Sequence, residues 1–265
     1  MIRLAKDQYS LASPLLAGVP FNVLMAQAVA EGRVGGVVLA DAMQPTSVYV
    51  RHKYGMSFLM GYSSDAGFRE EIVAMFSDPT LRSSPEWLQV YPLDWTELLD
   101  PVAEGGKINR WRRTNFWFNQ ARFLVRFPRG ASRYDTVVCT SAALDGFPGT
   151  VLPAHFWDDV DEFLASGTGF FSLDDGSQRV AAIAFASYLD EEFLEIGVET
   201  IPEFRGRGHA RAACARLIHL CLERGLTPVW SCRTENQGSY RLAESLGLVP
   251  VVQLPYYELP CEERA

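Results

Sequence analysis

The most chemically suggestive stretch of the sequence is the run Arg205, Gly206, Arg207 and Gly208, which stands directly before a helix. A helix N-terminus exposes unpaired backbone N–H groups and carries about half a positive charge. Such an end is usually capped by Ser, Thr, Asp or Asn, but here glycine leaves it open to a bulky anion. The run therefore predicts a phosphate site flanked by arginines.

Two common nucleotide-binding motifs do not explain this phosphate site. The Walker A pattern needs a glycine five residues before Gly106-Lys107, and Pro101 stands there. The dinucleotide pattern G-x-G-x-x-G fails because Arg211 occupies its third glycine position. A glycine-rich turn with solvated arginines and no ligand stays open as the alternative.

The elements around the run are typical of an α+β fold. Phe193–Thr200 and Pro228–Cys232 are predicted strands, and Gln237–Leu246 is a predicted helix. The helix that follows Gly208 has the clearest periodicity in the chain and ends at Gly225. Its apolar stripe consists of Ala210, Ala213, Cys214, Leu217, Ile218 and Cys221. The phosphate site is thus predicted between two strands, at the start of an amphipathic helix.

This pattern resembles the GNAT superfamily of acetyl-CoA-dependent N-acyltransferases. The run 205–210 matches the R/Q-x-x-G-x-G/A signature, and Val198 lies on the strand before it. Asn236, Ser239 and 246–248 match the downstream N-x-x-[AS] and L-G-[FL] pattern. The resemblance covers about the last half of the chain. Within the superfamily, the sequence is similar to a bacterial subgroup that carries an extra N-terminal domain.

The resemblance implies a two-domain α+β protein. Residues 128–265 would form the GNAT fold, a mixed and mostly antiparallel sheet with flanking helices. Residues 1–127 would form an α/β companion domain, which could be a degenerate GNAT-like half. Turn residues at 128–132 suggest the boundary. The companion domain is expected to shape the acceptor pocket and to bind no CoA, although a purely structural or dimerising role stays open.

The resemblance also implies which residues bind acetyl-CoA. The amides of residues 206–210 would hold the pyrophosphate between Arg205 and Arg207. The Val198 amide would stabilise the oxyanion, and the Thr200 backbone would pair with the pantetheine. The predicted CoA-binding set is Val198, Thr200, Arg205, Gly206, Arg207, Gly208, His209, Ala210, Asn236 and Ser239.

The implied reaction is acetyl transfer to a primary amine of a small molecule or peptide. The family's acid tyrosine corresponds to Ala243, so Tyr240, nearly one turn earlier, is the candidate acid. The candidate base is Glu199, with Glu195 nearby, and the Val198 amide completes the candidate catalytic set. A solvated role for Glu199, a packing role for Tyr240, and a noncatalytic acyl-CoA-binding or sensor module stay open.

Composition and residue spacing argue against several other classes of function. The net charge of −8 argues against nucleic-acid binding. Five cysteines without a C-x-x-C pair indicate a reducing cytoplasm, and four histidines without metal spacing give no indication of zinc. The uncharged stretch 11–30 is interrupted by Pro14 and Pro20, which predicts a loop and a helix rather than a signal peptide or membrane span. A homodimer remains open.

Overall fold

The computed structural model describes residues 1–129 and 132–262. Two compact units are present. Of the described residues, the first contains 1–114, 233–235 and 252–262, and the second contains 115–129, 132–232 and 236–251. The predicted boundary at 128–132 includes two residues outside the described ranges. Residues 115–127 lie in the second unit, so the compact units do not divide at 127/128. The domain division predicted there concerns independently folding parts of the chain and stays a prediction.

Strands and helices are interspersed along the described part of the chain. In chain order the elements are β1 (Ile2–Arg3), α1 (Ser13–Ala17), α2 (Leu24–Ala30), β2 (Gly36–Ala40), β3 (Ser47–His52), β4 (Met56–Gly61), α3 (Ala66–Ser77), β5 (Glu86–Tyr91), α4 (Thr96–Glu104), β6 (Asn109–Phe118), α5 (Gln120–Arg126), β7 (Thr136–Val138), α6 (Ser141–Asp145), α7 (Val160–Ser166), β8 (Gly169–Leu173), β9 (Val180–Leu189), β10 (Phe193–Thr200), α8 (His209–Arg224), β11 (Thr227–Arg233), α9 (Gln237–Ser245) and β12 (Leu248–Leu259). Short 3-10 turns connect several of them.

The first unit is built on a sheet whose pairs are antiparallel except for β4 and β5. The parallel pair is in register over five positions, from Met56–Trp87 to Met60–Tyr91. One face of this sheet packs against α3 and α4. Its core consists of Tyr49, Leu59, Phe68, Ile72, Phe76, Leu88, Val90, Trp95, Leu99, Ile108, Tyr257 and Leu259.

The second unit has the strand order β11-β10-β9-β8-β7, again antiparallel except for one pair, β10 and β11. Helix α8 packs across β8, β9 and β10. The stripe predicted on α8 is buried against the sheet at Ala213, Cys214, Leu217, Ile218 and Cys221. Burial of this stripe fixes the direction of the helix, and with it the place of the Arg-Gly-Arg-Gly run.

The α+β class with mostly antiparallel sheets confirms the predicted fold. Differences are local and have local causes. Helix α7 begins at Val160, four residues after Phe156, because the Asp159 side chain accepts the N–H groups of Asp161 and Glu162 and so caps it there. Helices α1 and α6, which have five residues each, show too little periodicity to be predicted. No helix in the described part of the chain is long and apolar enough to cross a membrane.

Candidate active site

The mouth of α8 is an open helix end. Gly208 is the N-cap residue with φ of 100°, and no side chain caps the helix. Gly206 also has a positive φ, 75°, so both positions favour glycine. In the described ranges, the N–H groups of residues 206–208 donate no hydrogen bond. These amides fit the predicted anion site, because they are unpaired and gathered at the positive end of the helix dipole.

Arg205 links this mouth to the end of β10. Its Nε donates to the Thr200 carbonyl over 3.2 Å, and its NH2 lies 3.5 Å from Oε1 of Glu199. Arg207 stands over the Phe204 ring, 5.7 Å from its centroid. Both arginines are exposed and lie beside the open amides, and their contact with a phosphate stays a prediction.

The side chain of His209 turns inward and is 1% exposed. Its Nδ1 is hydrogen-bonded to Ser172 Oγ at 3.0 Å, and its Nε2 lies 3.8 Å from Asp174. Burial lowers the pKa of His209, and the nearby Asp174 and Asp175 oppose that shift. The His209 ring therefore supports the open helix end from inside the protein, and the His209 backbone forms the first residue of the helix.

A groove of about 1010 Å³ runs along α8 from this mouth. Five arginines and two glutamates line it: Arg126, Arg129, Arg133, Arg211, Arg216, Glu223 and Glu244. The chain as a whole carries a net charge of −8. The groove is therefore a locally basic surface beside the helix end, and it favours an anionic ligand.

Strand β10 separates from β11 part of the way along its length. The two strands pair at three positions, ending at Glu195 and Val229. On its other side, β10 stays paired with β9 as far as Thr200 and Ala182. Residues 196–200 of β10 thus extend beyond the pairing with β11. This is an open strand edge, and Val198 lies in its middle.

The two faces of β10 carry different chemistry. Ile196 and Val198 pack with the α8 core. Gly197 faces the other side, where an added Cβ would lie 2.5 Å from the Phe185 ring. Alternation along a strand puts Glu195 and Glu199 on this second face. The two glutamates thus lie on the face opposite α8.

Glu195 is located at the point where the two strands stop pairing. It is 4% exposed, and Ser231 Oγ donates to its Oε1 over 3.3 Å. Ser187 Oγ donates to the Glu195 carbonyl over 3.0 Å. Ser187 is the additional residue of β9 where its register with β10 shifts. A buried carboxylate is thus fixed at the closed end of the open strand edge.

The Glu199 carboxylate is hydrogen-bonded to a loop of the protein. Its Oε2 accepts from the Thr150 amide (3.2 Å), the Thr150 hydroxyl (3.3 Å) and the Val151 amide (3.3 Å). Its Oε1 accepts from the Thr200 amide over 3.0 Å and faces Arg205. Both oxygens therefore have partners, and the carboxylate connects the loop at 150–151 with the end of β10.

The residues of the downstream motif, Asn236 and Ser239, and the neighbouring Tyr240 make contacts within the protein. The Asn236 side chain caps α9 by accepting from the Ser239 amide over 3.1 Å. The Ser239 hydroxyl lies 3.2 Å from Trp230 Nε1, which donates to it. The Tyr240 ring meets Phe116 edge-on, with the centroids 5.2 Å apart. The contacts of Asn236 and Ser239 with CoA, and the acid role of Tyr240, therefore stay predictions.

The first unit also contains a parallel strand pair with a helix between its strands, but among its described residues it has neither an open strand edge nor an uncapped helix end there. Strands β4 and β5 stay paired over five positions, so no edge like that of β10 opens between them. The helix after β4, α3, is capped by Asp65, whose Oδ1 accepts from the Gly67 amide over 2.8 Å. A carboxylate already occupies this helix end, where it would repel an incoming phosphate.

Strand β10, the uncapped helix α8 and the parallel strand β11 follow one another in the chain, and this order agrees with the GNAT type of N-acyltransferase that the motifs resemble. The chain belongs to the GNAT acetyltransferase family, whose model matches residues 14–257 and thus spans both units. The predicted family resemblance is therefore confirmed, and the protein is a GNAT N-acetyltransferase by family.

The chain is also similar to a curated relative and, in fold, to a solved structure. The chain is 26% identical over 229 residues to the uncharacterized N-acetyltransferase YdfB of Bacillus subtilis strain 168, covering 84% of this chain and 85% of that protein. A GCN5-related N-acetyltransferase-like protein from Streptococcus suis has 21% identity and a TM-score of 0.71, with 95% and 98% of the two chains covered.

A tandem GNAT protein from the clavulanic acid biosynthesis pathway has the same fold. Its identity to this chain is 10% and its TM-score is 0.56, and the match covers 100% of this chain and 99% of the other. At this identity the likeness concerns the fold alone.

Proposed function

We propose that the protein transfers an acetyl group from acetyl-CoA to a primary amine of a small molecule or peptide. The observation that carries this proposal is the open end of α8, with unpaired amides at 206–208, beside the open edge of β10. The two features fit the two chemically distinct parts of an acyl-CoA. The diphosphate needs amide donors and positive charge, whereas the thioester needs a donor that faces its carbonyl.

In this arrangement, the amides of residues 206–210 bind the diphosphate, with Arg205 and Arg207 beside it. The basic groove along α8 adds a favourable potential for an anionic ligand in an acidic chain. The Val198 amide, on the open edge of β10, is the proposed donor to the thioester oxygen. Thr200 lies at the end of the same edge. Its amide already donates to Glu199, so its carbonyl, which can accept a second hydrogen bond beside that from Arg205, is the proposed backbone partner of the pantetheine.

The proposed reaction is a direct transfer. The amine nitrogen attacks the thioester carbonyl, the new C–N bond forms, and the C–S bond breaks. One amine proton passes to a base, and the leaving thiolate takes up a proton. We assign the base to Glu195, because it is buried on the face opposite α8 at the closed end of the open edge.

Glu199, the base candidate from the sequence, is better suited to positioning. Its two oxygens accept from three amides and one hydroxyl, so a proton from the amine would compete with existing hydrogen bonds. Tyr240 remains the candidate acid. Within the described residues its hydroxyl has no hydrogen-bond partner, so it is available to donate to a thiolate.

A noncatalytic acyl-CoA-binding module is the second candidate. The observation in its favour is Ala243, which is fully buried where the family places an acid tyrosine. A panel of primary amines, tested for CoA thiol release from acetyl-CoA, separates the two. We expect release that depends on one class of amine and is lost in Glu195→Gln. Saturable CoA binding without release for any amine would instead support the binding module.

A further inference from the structure

We propose that Tyr134 and His209 act together as a clamp that orients the amides of the Arg205–Gly208 loop toward the diphosphate of CoA. Both are positioning residues, because they contact the loop and its supports rather than the reacting atoms. This inference rests on the proposed function. It adds a residue outside the glycine-arginine run, more than 70 positions earlier in the chain.

Tyr134 contacts three successive residues of the mouth of α8. Its hydroxyl donates to the Arg207 carbonyl over 2.9 Å. Its Cε2 would lie 3.7 Å from a Cβ at Gly208, and its ring stacks on His209 with centroids 3.9 Å apart and planes 29° apart. Tyr134 is 8% exposed. One side chain thus supports the whole turn into the helix.

The hydroxyl bond fixes the direction of an amide. The carbonyl of Arg207 and the N–H of Gly208 belong to one planar, trans peptide unit and point in opposite directions. A carbonyl that is held toward Tyr134 therefore turns the Gly208 N–H away from Tyr134. That N–H is among those with no partner in the described residues. The clamp thus fixes the direction of an amide donor that is unpaired at the helix mouth.

His209 is the second part of the clamp. Its ring lies between Tyr134 and the edge of Phe204, and its Nδ1 is hydrogen-bonded to the buried Ser172 Oγ of β8. The stacked ring cannot rotate without breaking this bond. The first residue of α8 is thus attached to the sheet, and Tyr134 in turn is attached to it.

The loop needs such support because of its glycines. Gly206 and Gly208 both adopt positive φ, and glycine has more conformational freedom to lose than any other residue. A loop that had to order itself on binding would lose affinity, whereas one already held in the bound form avoids that entropic cost. The clamp supplies rigidity from outside the loop, so the glycines can leave the amides accessible.

The test compares Tyr134→Phe with Tyr9→Phe in the full chain. Tyr9 is also buried and also donates to a backbone carbonyl, that of Gly36 over 3.0 Å, but it lies in the first unit. Two probes are titrated: CoA by calorimetry, and pantetheine, which lacks the diphosphate, by ligand-observed NMR. Thermal unfolding establishes that each variant is folded.

We expect Tyr134→Phe to weaken CoA binding about fivefold, equivalent to about 1 kcal/mol, which is the usual net value of one hydrogen bond. Pantetheine binding should not change, and Tyr9→Phe should behave as the parent with both probes. Tyr134→Leu, which also removes the stacking, should weaken CoA binding further.

Two results would overturn the clamp. One is a Tyr134→Phe variant that binds CoA as the parent does. The other is an equal loss for CoA and pantetheine, which would indicate a general structural defect. A parent protein that binds no CoA at all would instead refute the proposed function, so the two failures are distinguishable.

Discussion

The Ser231 hydroxyl donates to Oε1 of Glu195 over 3.3 Å at the end of the pairing between β10 and β11. The bond joins the two parallel strands where their backbone pairing ends. It also fixes a buried carboxylate next to the edge that carries Val198. Ser231 is thus a positioning residue for the proposed base, and the separation of two strands determines where that base lies.

Glu195→Gln is expected to lower kcat by a factor of about 10² to 10⁴, the usual contribution of a general base. CoA affinity should be unchanged, because the side chain lies on the face opposite α8. The acidic limb of the pH–rate profile should also disappear. A variant that keeps both the parent kcat and the parent pH profile would exclude Glu195 as the base.

Glu199→Gln should behave differently. Glutamine keeps only one acceptor oxygen, so either the loop donors at 150–151 or the Thr200 amide and Arg205 lose their partner. We therefore expect a raised acceptor KM with the pH–rate profile retained. Thr150→Ala, which removes one of those donors, should shift KM in the same direction by a smaller factor. If Glu199→Gln abolishes the acidic limb instead, Glu199 is the base and the assignment to Glu195 is wrong.

Gly206→Glu is expected to reduce CoA affinity at least 100-fold, because a carboxylate at the amides would repel the diphosphate. Gly225→Glu is the matched control at the other end of α8. Both glycines have φ of 75° and no neighbouring atom within 4 Å of an added Cβ, so their backbone strain is equal. Equal CoA affinity in the two variants would place the diphosphate elsewhere.

Gln89→Met is expected to stabilise the protein. Gln89 is 1% exposed on β5, and within the described structure both of its side-chain polar atoms lack a hydrogen-bond partner. An unsatisfied buried group costs about 1–3 kcal/mol, and methionine has a similar volume without that cost. Urea denaturation should show a higher free energy of unfolding. A decrease would show that the amide makes a stabilising interaction in solution.

Local pattern predicted the body and the C-terminal end of helix α8 well, although Ala210, the first residue of the predicted stripe, is only half-buried. The stripe from Ala213 to Cys221 is buried against the sheet, and Gly225 has the positive φ of a helix-ending residue. Such features depend on neighbours within a few positions of one another. Periodicity and glycine placement are therefore sufficient to identify them.

Contacts between distant residues could not be predicted in this way. Nothing in the sequence shows that β10 and β11 stop pairing at Glu195, or that Tyr134 reaches Arg207. The first feature depends on where two strands separate. The second depends on how the chain folds to bring a distant residue next to the helix mouth. Asn236 is a different case, because an asparagine before a predicted helix is a common N-cap and could have been read as one.

The most direct test is a calorimetric titration of the full chain with CoA. The account predicts one site per chain with a micromolar-class Kd, because α8 has an open end and α3 is capped by Asp65. At about 100 times its Kd, CoA should add roughly 2.7 kcal/mol to stability and raise the Tm. No heat and no thermal shift at millimolar CoA would contradict the central claim, and two equivalents per chain would contradict the closed state of the first unit.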